Sequence, residues 1–548
     1  MAYNFFERWV MKVNSIIYNP IEEYKEKYKE FHQNLVNGFF EELVSKSNVD
    51  IEQNRKTIIE HCNAIKVLEK IKRKLKWMKV LRVIMCITII FIPLVIFKLN
   101  PKIKSLKNDI LEQQKNVDKL YNESIRQMKP LNNLLTNDDS LNLIEKTIPG
   151  MIYSPCLTLS EENYMKENFD YNVSFNEEES TLEVLSGRYN NNPFVFEKKL
   201  IHKMGTHIYH GYKTIHWTES YYGSDGKRHT RTCSQTLHAT LIKPKPYFNT
   251  LTSLSYCSEA GDNLSFSREA NHYEKKDTKE IEKIVKKGEK KLKKITDEAI
   301  KKNSDFMAMS NTVFEVLFEA YDRTDEVQFR TLFSPLAQTN MVELLKSNEG
   351  YGDDFKFIKN KRTNIIISEH NQNKKLALNA SDYYSNSFDI IKKNFISKNI
   401  NFFKSIYFDF APLFAIPIYQ EEPSKTLEVK KVSDRLYSSK EYESLVNRID
   451  VREIFDDIVR TPAIYKAKFL ISSNYVDEVC ISAFAYDIIP NIEYVTMLGG
   501  DGRLHSVPVH WDEYILVKDM KKLSVTSDDN SIVNKKDIKA RNNHLCVY

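Results

Sequence analysis

The chain has 548 residues, of which 80 are basic and 74 acidic, and 42% are hydrophobic. That leaves room for roughly two to four cored domains and excludes wholesale disorder, while the near balance of charge argues against a dedicated nucleic-acid binder. Fourteen glycines are few for a Rossmann or P-loop enzyme, and seven widely spaced cysteines without a C-x-x-C exclude a disulfide framework and a zinc knuckle.

Residues 1–79 read as a helical region. Ile51, Ile58 and Ile65 recur at heptad spacing with Leu68 and Leu75 between turns, and Pro20 opens a charged helix. Val80 to Phe97, VLRVIMCITIIFIPLVIF, carries one charge, Arg82. As one helix it reaches about 27 Å, close to the ~30 Å of bilayer hydrocarbon. The stretch 80–97 is therefore predicted to be a single transmembrane helix, with Val83, Ile87, Ile90, Phe91, Pro93, Leu94 and Phe97 against lipid. A helix buried in a soluble domain is the bland alternative. Both flanks are basic, and Trp77 stands where an interfacial aromatic belongs. A re-entrant hairpin turning at Pro93 would have arms too short to cross. The larger basic cluster precedes the run, so the positive-inside rule puts 1–79 in the cytoplasm and the large C-terminal region outside.

Over 98–135, Ile103, Leu106, Ile110, Val117, Leu120, Leu131 and Leu134 follow heptad spacing, with Gln113, Ser124 and Gln127 at weak positions. This helix is expected to pair with itself, with a partner, or within a bundle of the same chain. Residues 136–275 read as a β-rich domain. Its strongest signal is a long hairpin, 208–242, around Asp225-Gly226. A two-residue type I′ loop sets Tyr222 opposite His229 and Thr218 opposite Cys233, and Pro244 and Pro246 end the ribbon. Polar residues on both faces predict that its tip projects from the domain. Residues 276–350 form a helical segment whose apolar seam, Ile281, Val285, Gly288, Leu292, Ile295 and Ala299, is surrounded by ten lysines from Lys279 to Lys302. Interleaved acids favour a solvated face over an anion-binding one. Residues 351–525 read as a mixed α+β domain with a hairpin around Gly499-Gly500-Asp501-Gly502, and 526–548 as a loose tail.

Chemistry-bearing motifs are sparse. Six of thirteen histidines lie between His202 and His238. Imidazole suits zinc, copper or nickel, which makes His207, His210, His216 and His229 the candidate metal ligands. The expected register does not gather them, and it turns His238 away from His216, so surface and cross-strand histidines account for them better. His510 and Asp512 share a strand face near His505 and Glu513, without a nucleophile beside them. No metalloprotease, serine-hydrolase or kinase motif is present. No catalytic residue and no cofactor is predicted.

Three stretches carry a resemblance: SGRYNNNPFVFEKKL (Ser186 to Leu200), QTLHATLIKPKPYF (Gln235 to Phe248) and FDFAPLFAIPIYQ (Phe408 to Gln420). Together they resemble membrane proteins of mollicutes, the wall-less bacteria, which pair a membrane-spanning helical N-terminal part with a large mixed domain. The resemblance implies no activity and transfers no site residues. Residues and resemblance together predict an α+β fold with N-terminal helical arms and one transmembrane helix, followed by β-rich modules separated by a helical segment. The expected function is a membrane-anchored structural, adhesion or scaffolding protein. It would bind another macromolecule, with a lipid bilayer and a protein partner or self-association through 103–134, and no specific nucleic acid. The alternative is a membrane-tethered metal-dependent hydrolase using 202–238.

Overall fold

The computed structural model describes residues 19–87, 92–171, 176–224, 226–302, 305–421, 437–472, 476–526 and 544–547. In chain order the main helices are α1 (Lys29–Ser47), α2 (Ile51–Ile87), α3 (Asn100–Asn132), α4 (Asp139–Thr147), α5 (Leu159–Phe169), α6 (Thr278–Lys301), α7 (Thr312–Phe318), α8 (Glu326–Leu332), α9 (Pro335–Lys346), α10 (Phe388–Phe414) and α11 (Ser439–Val446). The strands are β1 (Met151–Tyr153), β2 (Glu179–Tyr189), β3 (Asn192–Tyr222), β4 (Arg228–Cys257), β5 (Ser265–Arg268), β6 (Phe355–Asn360), β7 (Thr363–Ser368), β8 (Ile464–Ser472), β9 (Val476–Leu498), β10 (Leu504–Thr526) and β11 (His544–Val547). The fold is mixed α+β, helical toward the N-terminus, with antiparallel sheets. Two compact units divide it. Glu22–Pro149 joins Ala377–Tyr407 in the first, and Gly150–Leu376 joins Phe408–Tyr548 in the second.

In the first unit α2 and α3 run antiparallel along an apolar seam. Ala64 and Leu68 meet Val117, flanked by Ile65, Ile110 and Leu120. Further out, Val95, Leu99 and Ile103 pack with Leu75, Met78 and Met85. The heptad residues of α3 thus find their partner within the same chain. Two weak heptad positions are cross-arm rungs, since Gln113 donates to the Ala64 carbonyl at 3.4 Å and Gln127 donates to Thr57 Oγ1 at 3.1 Å, while Ser124 accepts from Asn386 ahead of α10. At the other end of the seam α1 and the first part of α10 close a core around Val36, Phe40, Met128, Leu131, Tyr383 and Phe395.

This arrangement corrects the single transmembrane helix. The apolar run 80–97 is shared between α2, which is described to Ile87, and a returning arm of Ile92–Leu94 and a π-helical turn Val95–Leu99. Among the described residues no helix is long and apolar enough to cross a membrane. The physical reason lies in the side chains: Leu75, Met85, Val95 and Leu99 give each arm an apolar stripe that the other can cover.

The second unit contains a seven-stranded antiparallel sheet in the order β1-β2-β3-β4-β7-β6-β5 and a four-stranded one in the order β11-β10-β9-β8. Aromatic side chains dominate the core: Phe194 and Phe196 meet Phe410 edge-on at centroid distances of 5.1 and 5.6 Å. A second aromatic group unites Phe266, Phe314, Phe318, Phe333 and Phe357. Helix α6 starts at an Asp277–Glu280 capping box and buries Ile281, Val285, Leu292 and Ala299 of the predicted seam, with Gly288 and Ile295 half-buried. Pro335 opens α9 behind the Ser334 cap.

β3 and β4 pair from Phe194↔Tyr256 to Tyr222↔Arg228, a ribbon of roughly 95 Å at 3.4 Å per residue. The hairpin is thus longer than 208–242, and Pro244 and Pro246 do not end it. They pair with Thr206 and Met204, while β7 joins β4 only at Leu254–Cys257. A proline on that open edge removes no ladder bond. The register also differs by one residue from the expected one. Gly223 donates to the Lys227 carbonyl, and Gly226, at φ +74°, donates to the Gly223 carbonyl, both at 3.0 Å. The loop therefore holds three residues rather than two, and Asp225 itself lies outside the described residues. β9 and β10 make a second ribbon, whose inner face packs Val507 and Val509 on Ile215, Leu237 and Ala239. Gly211 permits the approach, because a Cβ there would collide with the Pro508 carbonyl oxygen. The second ribbon's loop ends at the level of Trp217, so among the described residues β3–β4 runs on alone beyond it, as the sequence predicts. Most of the expected tail, 527–543, lies outside the described residues, and His544–Val547 pairs with Leu523–Thr526 as an edge strand.

Candidate functional site

The outer end of the α2/α3 hairpin has an unusual surface. Two opposed stripes bury the seam residues, but large apolar side chains also stand on the outward faces of both arms near the tip. Phe97 is 80% exposed, Trp77 75% and Val83 59%, with Val80, Leu81, Ile84, Leu94 and Ile96 also in water. Of the predicted lipid-facing residues, Val83, Pro93, Leu94 and Phe97 lie on this surface. Ile87 is the last described residue of α2, its side chain lies outside the described residues, and so do Ile90 and Phe91. Monomeric proteins seldom leave so many large apolar side chains together in water unless the patch is used.

The charge around the tip is one-sided. Between Glu69 and Asp109 the sequence has eleven lysines and arginines and no acid, and all eleven are exposed. A straight spanning helix would put the two basic flanks on opposite sides of a bilayer. The hairpin puts them side by side at the base of its apolar end.

The structure does not bring the candidate metal ligands together. Even-numbered residues of β3 and β4 share the outer face of the ribbon, so His210 and His216 stand there and His207 and His229 stand on the other face. The register shift also turns His238 round to join His210: His210 Nδ1 lies 2.9 Å from His238 Nε2, with the Tyr212 ring stacked on His238 at 4.8 Å. His207 meets Tyr209 edge-on and His229 lies against Tyr221. Among the described residues no group of three His, Cys, Asp or Glu side chains gathers as a metal site. His505 pairs with Asp501 at 3.0 Å rather than with His510 or Asp512.

Two buried polar clusters escape sequence reasoning. His370 Nδ1 is 2.7 Å from Asp354 and its Nε2 is 3.4 Å from Asp409, under the stacked ring of Tyr351. Burial pushes the Asp409 carboxyl up to about 6 although His370 pulls it down. The second cluster surrounds α11, whose residues from Lys440 to Val446 are all buried. Lys440 Nζ lies 2.6 Å from Glu197 and 2.7 Å from the Tyr171 hydroxyl, and Lys466 lies 3.3 Å from Glu443. Burial raises Lys440's cost of ionisation, but Glu197 and Tyr171 outweigh it and hold the ammonium charged. Burial alone would lift Glu197, yet Lys440 and Lys199 bring it below the usual carboxylate range. A cleft of about 220 Å³ opens beside Lys166, Lys199, Lys440 and Lys466. Each of these ammoniums already faces a carboxylate, so the arrangement joins elements rather than awaiting an ion. Nothing in sequence spacing announces either cluster, since the partners lie far apart in the chain.

No family model matches the chain, and neither the curated proteins nor the solved structures include a similar one. The stretches that carry the mollicute resemblance fall in the β2–β3 turn, in β4 and at the end of α10, where they build the scaffold of the second unit.

Proposed function

We propose that the protein is a membrane-anchored structural or scaffolding protein that dips the tip of its helical hairpin into one leaflet and binds another macromolecule through its large second unit. The exposed apolar tip carries this reading. Beyond Arg82 and Lys98, Val83 to Ile87 rises about 7.5 Å and Ile92 to Phe97 about 9 Å, within the ~15 Å of one leaflet's hydrocarbon. Each large side chain moved from water to lipid contributes about 1.5–3 kcal/mol, and helical arms keep their backbone hydrogen bonds inside the bilayer. Both basic flanks then face the same compartment, which the positive-inside rule makes the cytoplasm. The projecting β3–β4 ribbon is the accessible element for a partner.

Flotation of the full chain with phospholipid vesicles tests the reading. The protein should rise with the vesicles, and brominated acyl chains should quench Trp77. Val83→Ser with Ile84→Ser and Phe97→Ser should abolish flotation while leaving the helical circular dichroism unchanged. A native chain that stays at the bottom of the gradient, or a triple variant that floats as well as the native chain, removes the proposal.

A further inference from the structure

We infer that the base of the hairpin tip is a binding collar for anionic phospholipid headgroups, so that the leaflet the protein enters is chosen by its charge. The inference rests on the leaflet-anchoring reading and adds the lipid class. It follows from how the hairpin folds. Because Leu75 and Met78 share one cluster with Leu99 and Ile103, Lys79 and Arg82 on α2 come level with Lys98 and Lys102 on the returning arm. Four exposed cations thus ring the hairpin where its apolar end begins. The nearest acids, Glu69 and Asp109, lie well down the arms, and Glu69 is already engaged by Arg73 at 3.2 Å.

The other lysine-rich surface, on α6, lacks this property. Glu280, Glu282, Glu289, Asp297 and Glu298 are interleaved with its lysines, so its field is mixed. A nucleic-acid backbone would satisfy the collar's charge but leave Phe97 and Val83 in water. A charged leaflet satisfies both at once, with headgroups at the collar and acyl chains at the tip.

The test is flotation of the full chain with phosphatidylcholine vesicles and with vesicles containing about 30 mol% phosphatidylglycerol, where partitioning should be on the order of 100-fold stronger and should weaken as salt is added. Replacing Lys79, Arg82, Lys98 and Lys102 by glutamine should remove most of that preference while leaving the weaker association with neutral vesicles. Equal binding to both vesicles by the native chain, with the apolar-tip variant still defective, overturns the collar and leaves the anchor standing. Binding to neither vesicle overturns both. Collar-dependent binding of a duplex oligonucleotide that displaces the protein from charged vesicles overturns the lipid assignment in favour of nucleic acid.

Discussion

The hairpin tip and helix α11 break the inside-out rule in opposite directions. At the tip, Val83, Ile84 and Phe97 are apolar and stand in water. In α11, Lys440, Glu441 and Glu443 are charged and stand in the core. The buried charges are answered within the chain, by Glu197, by the Leu157 amide and by Lys466. The exposed apolar groups have no such answer among the described residues. A violation resolved internally marks architecture, and an unresolved one points outward, which is why the tip rather than α11 is the functional candidate.

The sharpest way to break this contrast is Lys440→Met, which leaves Glu197 buried without its counter-charge. It should cost about 3–5 kcal/mol in urea unfolding, and adding Glu197→Leu should recover most of the loss. An unaffected single variant would mean that α11 is not held by its charges. Gly211→Val comes next. Forced against Pro508 and Val509, it should cost about 1–3 kcal/mol and make the two ribbons susceptible to limited proteolysis. Smaller still is a pH effect in the His370 cluster. An unfolded aspartate ionises near pH 4, whereas burial keeps Asp409 protonated up to about 6. Between those values the unfolded chain has released a proton that the native chain retains, so stability falls as pH rises through the window. Asp409→Asn should flatten that fall, as read from urea midpoints across the window. Phe97→Ser alone should move folding stability by no more than about 0.5 kcal/mol. A large loss would show that the tip belongs to the fold and would dissolve the contrast.

Where apolar spacing is strong, the fold is legible. The seam of α6, the heptads of α3, and the strands ending at Gly499 follow from periodicity and turn residues. Legibility fails where two structures satisfy one pattern. An apolar run of eighteen residues fits one spanning rod or two short arms, and only the facing stripes on Leu75 and Leu99 distinguish them. β9 runs through Pro490, a residue that by itself argues against a continuous strand, and the chain remains paired there with Asp512. The distal ribbon's existence is evident from its threonines and tyrosines, but its alignment is not. Both faces are polar from Thr218 to Thr232, so no buried set distinguishes a two-residue from a three-residue loop. For α11, SKEYESLV reads as an ordinary surface helix, and only partners such as Glu197 and Thr181, hundreds of positions away, explain its burial.

The loop at the end of the β3–β4 ribbon closes on Gly223 and Lys227, while the alignment nearer the sheet is pinned by Leu237 and Ala239, which seat the companion ribbon. Deleting Ser224 would leave two residues between the same closing pair, a length that hairpins favour, with every side chain on its present face. Length changes at this bend should therefore be absorbed by the loop, which frees the bend to vary without unseating its companion.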